Sequence, residues 1–273
     1  MHGFLVVNHY LHGGKYNELH EHLLKTAKAK SIDLDIVTNE NAVFLDEKPD
    51  FVLFWDKDTI LAKAFENRGV PVFNSSRSIE ICDDKAKTYL ALENKFSQPK
   101  TIVAPLSFFA VDYSQFVNMA VEKLGLPVVF KERCGSFGEQ VHLCQTVDEV
   151  MKHINGKPFL LQEYVECNNS DARLEVVGDR VVASMKRSNK NDFRSNITNG
   201  GVAEEYTPND SEIATAVAVC KELGLIFGGV DILPNGMVCE VNSNAHIINI
   251  MNTTGVDVAP LIFDEISERI KQI

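Results

Sequence analysis

The stretch Gly229-Val-Asp-Ile-Leu-Pro-Asn-Gly-Met-Val-Cys-Glu-Val-Asn242 decides how the chain is read. Asn235-Gly236 between two apolar runs predicts a β-hairpin. With a two-residue loop, Pro234 faces Met237 and Asp231 faces Glu240, their Cβ atoms roughly 5 Å apart. Asn242, two residues beyond Glu240, shares that face, and Val230, Ile232, Cys239 and Val241 take the other, toward a core. Two carboxylates directly opposite one another destabilise a sheet unless something offsets them. A divalent cation would do so, and two carboxylates with an amide are oxygen ligands suited to Mg²⁺ or Mn²⁺. Solvation, or a nearby Lys or Arg, would do so too, and the spacing leaves these readings open.

Upstream, cations stand where they could meet an anion. Lys131 ends the apolar strand Val128-Val-Phe-Lys131, just before the loop Cys134-Gly-Ser-Phe-Gly-Glu-Gln140. A lysine beside a glycine loop can reach phosphate oxygens while loop N–H groups bind others, although a lone G-x-x-G is a weak signal. Lys186, Arg187, Lys190 and Arg194 cluster in the polar loop 188–201 and the residues before it. That cluster reads as a solvated loop or as a clamp on a phosphoryl group. Around these, strands are expected at 128–133, 141–144, 159–165, 171–177 and 180–185, the last two joined by a Gly178-Asp179 turn. Helices are expected at Asp83–Lys95, with Asp83 or Asp84 as N-cap, and at 146–154, 210–223 and 257–271.

Residues 1–80 alternate strand and helix. Strands read at 3–8, 34–37, 51–55 and 69–73, and helices at 16–30 and near 58–67, the pattern of a Rossmann-like parallel α/β unit. Gly13-Gly14 after the first strand is not G-x-G-x-x-G, which argues against a dinucleotide site.

The chain has 273 residues, 45% of them hydrophobic, with a net charge of −11, which excludes disorder and disfavours binding to nucleic-acid backbones. The charge is uneven. Residues 1–80 carry nine Lys/Arg against twelve Asp/Glu, residues 81–202 fifteen of each, and residues 203–273 three against eleven. Six cysteines without a C-x-x-C pair read as reduced thiols. Five of eight histidines fall within residues 1–22 without metal-site spacing. No apolar run is long enough for a membrane span, and the start lacks a signal-peptide pattern, so a cytoplasmic protein is expected.

The motifs occur in a definite order: Asp84-Lys85, Val128-Val-Phe-Lys131, Gln162-Glu-Tyr164, Asp171-Ala-Arg173, Asp192-Phe-Arg-Ser-Asn196 with Gly200-Gly201, Gly229-Val-Asp-Ile-Leu233 and Glu240-Val-Asn242. In that order they resemble the ATP-grasp superfamily, and within it the RimK-like carboxylate–amine ligases of the α-L-glutamate ligase type. The resemblance implies an α/β (α+β) fold, an ATP-grasp fold preceded by a Rossmann-like domain. It implies three units: 1–82 before the ATP-grasp fold, 83–165 as its N-terminal and lid part, and 166–273 as its C-terminal part with the metal site.

By position, the resemblance implies that Lys85 and Lys131 contact ATP phosphates under a mobile Gly135–Gly138 loop that includes Ser136. Glu163, Tyr164 and Val165 match the adenine hinge, and Asp171, Arg173 and Arg187 belong with the nucleotide site. Arg194, Ser195 and Asn196 match a segment near the γ-phosphate, with Lys131 and Arg194 stabilising charge in the transfer. Asp231, Glu240 and Asn242 match the Mg²⁺ ligands. One departure stands out. Such ligases commonly follow Glu-Val-Asn with a Ser-Pro-Gly-like turn, and this chain has Ser243-Asn-Ala-His246. The change falls near the acceptor, where His246 either orients substrate or packs locally.

The implied activity is ATP-dependent joining of an amino acid such as glutamate to a peptide, protein or small-molecule carboxylate through an acyl phosphate. The implied partners are ATP, the amino acid and the carboxylate acceptor, with no nucleic acid and no membrane. The resemblance is compatible with a homo-oligomer. A non-catalytic ATP-binding protein and a nicotinamide-dependent enzyme are the competing readings.

Overall fold

The computed structural model describes residues 1–11, 16–109, 111–135, 138–197 and 200–272. Gly13-Gly14 and Ser136 lie outside them. Three sheets organise the mixed α/β fold.

The first sheet comes from β1 (His2–Val7), α1 (Asn17–Ala29), β2 (Asp33–Thr38), α2 (Asn39–Ala42), β3 (Phe51–Trp55), α3 (Thr59–Asn67) and β4 (Val72–Phe73). Its strands are parallel, in the order β2-β1-β3-β4. Strand alternation explains its double burial. Leu5 and Val7 enter one core with Leu53 and Trp55, while Phe4 and Val6 enter another with Val52, Phe54 and Phe65. The helix expected at Asp83–Lys95 is α5 (Lys85–Leu92), and a helix that the sequence did not reveal, α4 (Ser76–Asp83), precedes it, the two broken at Asp84. Asp84 is extended at φ −103°, ψ 106°, and its carboxylate accepts from the Ala86 and Lys87 N–H groups. Of the two candidates, Asp84 is therefore the cap. Its side chain ends one helix and starts the next.

The second sheet is antiparallel, ordered β5-β8-β6-β7. It is built from β5 (Thr101–Val103), α6 (Ser114–Leu124), β6 (Val128–Glu132), β7 (Val141–Cys144), α7 (Val147–His153) and β8 (Phe159–Glu163). Val128, Phe130, Phe159 and Leu161 pack with Val117, Ala120 and Val150. Alternation sends Val129, Lys131 and Gln162 to the opposite face, where they line the cleft described below.

The third sheet is ordered β11-β10-β9-β12-β13. It contains β9 (Ser170–Val177), β10 (Arg180–Ser188), β11 (Val202–Glu205), α8 (Asp210–Glu222), β12 (Phe227–Ile232) and β13 (Val238–Asn242), followed by α9 (Ile247–Thr254) and α10 (Ala259–Ile270). On one face Ala172, Leu174, Val176, Val230 and Val241 pack against α8. Elsewhere Val177, Met185 and Phe227 share a core with the first sheet, and Trp55 stacks on Phe227 at 5.5 Å. Asn74 ties the two sheets with hydrogen bonds: its Nδ2 donates to the Phe227 and Ser243 carbonyls, and its Oδ1 accepts from Ile226 N–H, all at 2.9 Å. A buried amide satisfied in this way sets how the sheets meet.

The sequence reading left α6 and α9 unassigned, and β5 and β11 are too short for alternation to show. No helix among the described residues is long and apolar enough to cross a membrane.

Candidate functional site

The hairpin that opened the sequence reading differs in its loop. Leu233, not Pro234, faces Met237, and Gly236 N–H donates to the Leu233 carbonyl at 2.8 Å. The loop is thus three residues, with Gly236 at φ +82°, a conformation that strains any residue with a Cβ. A bulge between Asp231 and Ile232 then restores the register, so that Asp231 still pairs with Glu240 and Gly229 with Asn242. The bulge also turns Val238 into the core and Cys239 out to the cleft, correcting the inward placement expected for Cys239. Burial pushes the Cys239 thiol up to about 11, despite the nearby Lys131 ammonium, so it stays protonated at neutral pH.

Between the second and third sheets lies a cleft of about 880 Å³, counting its space open to solvent. That is within the range of small-molecule sites. Lys85, Lys131, Gly135, Gly138, Glu163, Tyr164, Val165, Asp171, Arg187, Arg194, Ser195, Asn196, Asp231 and Glu240 line it. Of the expected site residues, Arg173 and Asn242 do not line it, and Ser136 lies outside the described residues. Phe193, Leu233, Cys167 and Cys239 also line it. They carry no charge, so nothing in their chemistry singled them out.

The floor is a buried ionic network on β9, β10 and β12. Asp171, Arg173 and Glu175 alternate onto one face of β9. Arg173 pairs bidentately with Asp231, its Nη2 lying 2.8 Å from Oδ2. Arg187 pairs bidentately with Asp171, at 2.7 and 2.6 Å, and its Nη2 also lies 2.8 Å from Asp231 Oδ2. Ser195 Oγ donates to Asp171 at 2.7 Å, which anchors the 188–201 loop. Burial opposes ionisation of Asp231, but Arg173 and Arg187 outweigh it and hold its pKa below the usual carboxylate value. The carboxylate facing Glu240 is therefore offset by arginines, one of the readings the spacing had left open. Among the described residues Glu175 has only Arg173 as a salt-bridge partner, at 3.9 Å, and burial pushes its carboxyl up to about 7.

The opposite wall carries the lysines. Arg133 forks onto Asp84, and Lys85 N–H donates to the Arg133 carbonyl at 2.8 Å, which sets α5 against the glycine loop. Burial raises the Asp84 pKa, but Arg133 outweighs it and leaves that pKa lowered. Lys85 Nζ lies 3.3 Å from the Gly135 carbonyl and 3.6 Å from Glu240 Oε1. Lys131 is only 9% exposed, and no carboxylate among the described residues lies within 4.0 Å of its ammonium. Arg194 pairs with Asp192 and reaches the Gly138 carbonyl at 2.6 Å, joining the third-sheet loop to the glycine loop. At the end of β8, no backbone hydrogen bond engages Tyr164 or Val165 among the described residues.

His246 sits at the N-cap of α9 without a side-chain capping bond, its ring 6.3 Å from that of Tyr16. His2, His9 and His22 pair with Asp35, Glu40 and Asp257. Among the described residues, no group of three or more His, Cys, Asp or Glu is placed to hold a metal.

The chain is similar to several known proteins. The "Uncharacterized protein MG012 homolog" of Mycoplasma pneumoniae is 32% identical over 226 residues, 78% of each chain. The "Probable alpha-L-glutamate ligase 1" of Shewanella oneidensis is 37% identical over 223 residues, 77% of this chain and 71% of the relative. The crystal structure of the D-cycloserine synthetase DcsG shares the fold, with a TM-score of 0.80 at 15% identity over 99% of this chain and all of the other. The family pattern described as RimK-like ATP-grasp domain matches residues 82–266, and the chain belongs to that family.

Proposed function

We propose that the protein is an ATP-dependent carboxylate–amine ligase, joining an amino acid such as glutamate to a peptide, protein or small-molecule carboxylate. The observation that carries this reading is the buried Lys131 ammonium, without a carboxylate partner among the described residues, facing a nucleotide-sized cleft. A buried cation without an anion is costly, and a phosphate oxygen is the partner that chemistry supplies. The backbone of Tyr164 and Val165, without a hydrogen bond among the described residues, suits the edge of an adenine. We assign residues 1–82, 83–165 and 166–273 to the three units of such an enzyme.

In the proposed reaction a carboxylate oxygen attacks the γ-phosphorus of ATP. The bond from that phosphorus to the β-phosphate oxygen breaks, giving ADP and an acyl phosphate. The amine nitrogen then attacks the acyl carbon, phosphate leaves, and the nitrogen loses its proton to solvent. Lys85 and Lys131 hold phosphate oxygens, and Arg194 offsets charge in the transfer. The glycine loop, bridged by Arg194, excludes water from the acyl phosphate. Glu240 and Asn242 fit a hard dication. Among the described residues Glu240 has Lys85 as its only ion-pair partner, and the buried Asn242 Nδ2 has no hydrogen-bond partner, so no bond from that nitrogen fixes the amide's orientation. Asp231 would contribute only a lone pair that the arginines leave. When bound, Mg²⁺ or Mn²⁺ supplies neutralisation of phosphate charge.

ADP release with MgATP across amino acids and short peptides, with mass spectrometry of products, tests the proposal. Glu240→Ala and Asn242→Ala should abolish ligation while the fold survives. ATP binding without ADP release for any acceptor would favour a non-catalytic ATP-binding protein.

A further inference from the structure

The seam where the first sheet meets the Ser243–His246 turn holds buried oxygens that the proposed nucleotide chemistry does not use. Asp56 follows β3 at the C-terminal edge of the parallel sheet and is 6% exposed. Its Oδ1 accepts from Asn8 Nδ2 at 3.1 Å and from the Lys57 N–H at 2.7 Å. Its Oδ2 is buried and has no hydrogen-bond partner among the described residues. Asn244, in the turn after β13, donates from Nδ2 to the Asp56 carbonyl at 2.9 Å. That bond fixes the amide's orientation, because a carbonyl accepts only from the NH₂ side. Asn244 Oδ1 is therefore an acceptor, and it too is buried without a partner among the described residues.

Two buried acceptors, one of them a carboxylate, are costly to leave unpaired. Their residues are joined by the hydrogen bond from the Asn244 amide to the Asp56 main-chain carbonyl and follow strands of two different sheets. They lie at the C-terminal edge of a parallel sheet, where α/β folds bind ligands, and Asn244 is two residues beyond Asn242. What satisfies both is a compact donor with positive charge.

We infer that this seam recognises a primary ammonium, and that the acid substrate of the ligation is an amino acid held by its charged amine. The inference rests on the ligase reading of the cleft. An ammonium gripped by a carboxylate keeps its proton and has no lone pair for attack. The gripped group is therefore a handle on the acid being activated, not the nucleophile. Asp56 supplies the charge, and Asn8 and Asn244 orient it.

The test uses the full chain and direct binding. Calorimetry first measures the Mg complex of a non-hydrolysable ATP analogue. It then measures each of the twenty standard amino acids on that complex, and the N-acetyl form of each that binds. The same series is run on Asp56→Asn. At least one free amino acid should bind, and acetylating it should weaken binding tenfold or more. Asp56→Asn should weaken the free amino acid tenfold or more and abolish the preference over its N-acetyl form, with nucleotide affinity unchanged. Equal binding of free and acetylated forms, an unchanged preference in Asp56→Asn, or binding of none of the twenty while the nucleotide binds would overturn the inference and leave the ligase reading standing. Failure of the nucleotide itself to bind would remove the ligase reading, and the inference with it.

Discussion

The two walls of the cleft carry positive charge in opposite ways. On the third sheet, Arg173 and Arg187 are locked to Asp231 and Asp171 by paired hydrogen bonds. On the opposite wall, Lys131 has no carboxylate within 4.0 Å among the described residues, and Lys85 has only Glu240 at 3.6 Å. Lys131 is as buried as Arg173 and Arg187, so the difference is not one of solvent. It follows from the side chains. A guanidinium forks onto a carboxylate and forms a lasting strut, whereas an ammonium is a point charge on a flexible stem that can turn to an incoming anion. The arginines hold the floor in place, and the lysines are left for ligand.

The contrast is broken most directly at Asp231. Asp231→Ala leaves two buried guanidiniums without that partner and should cost about 3–5 kcal/mol of stability. Glu240→Ala, its cross-strand neighbour, should cost less than about 1 kcal/mol, because its only salt-bridge partner among the described residues is a lysine at 3.6 Å and its side chain is partly exposed. Urea denaturation of both variants measures this, and equal losses would erase the distinction between strut and ligand.

Lys131→Met should lower kcat/KM for ADP release by about a hundredfold or more while leaving the unfolding temperature unchanged or raised, since it removes a buried unpaired charge. A stability loss without a kinetic one would place Lys131 among the struts.

Glu175 sharpens the comparison through pH. Its folded pKa is raised to about 7 from an ordinary 4.5, so the folded chain binds more protons than the unfolded chain between those values. Its contribution is fully present below about 4.5 and is lost as pH rises through about 7. In the ligand-free protein it should account for a loss of about 1 kcal/mol between pH 6 and 8, which Glu175→Gln removes. Thermal unfolding of both proteins across that range reads the difference in slope.

The smallest effect is expected at Arg194, whose pairing with Asp192 is partly exposed. Arg194→Ala should change stability by less than about 1 kcal/mol, yet speed proteolysis at the glycine loop by freeing the Gly138 carbonyl.

Much of this arrangement was legible in the sequence. The sequence placed Lys131 at the end of an apolar strand beside the glycine loop, and alternation placed Asp231 opposite Glu240. The second placement was right although the loop was not. A three-residue turn and a compensating bulge preserved the pairing that a two-residue turn would have produced, while Val238 and Cys239 were turned the other way. The break at Asp84 was read as a cap but not as the end of a preceding helix, because an acidic residue between two helical stretches carries both meanings.

By itself, the sequence indicated most of the charged groups that line the cleft and the shared face of Asp231 and Glu240, because side-chain period is a local property of the backbone. Only the tertiary structure decided which of those charges are paired. Arg173 and Asp231 lie 58 residues apart in the chain yet pair across adjacent strands. Asn8, Asp56 and Asn244 come from three separate segments and leave two oxygens unmatched among the described residues. Whether a charge is a strut, a ligand or a handle depends on its distance to partners and its removal from water, and spacing along the chain encodes neither.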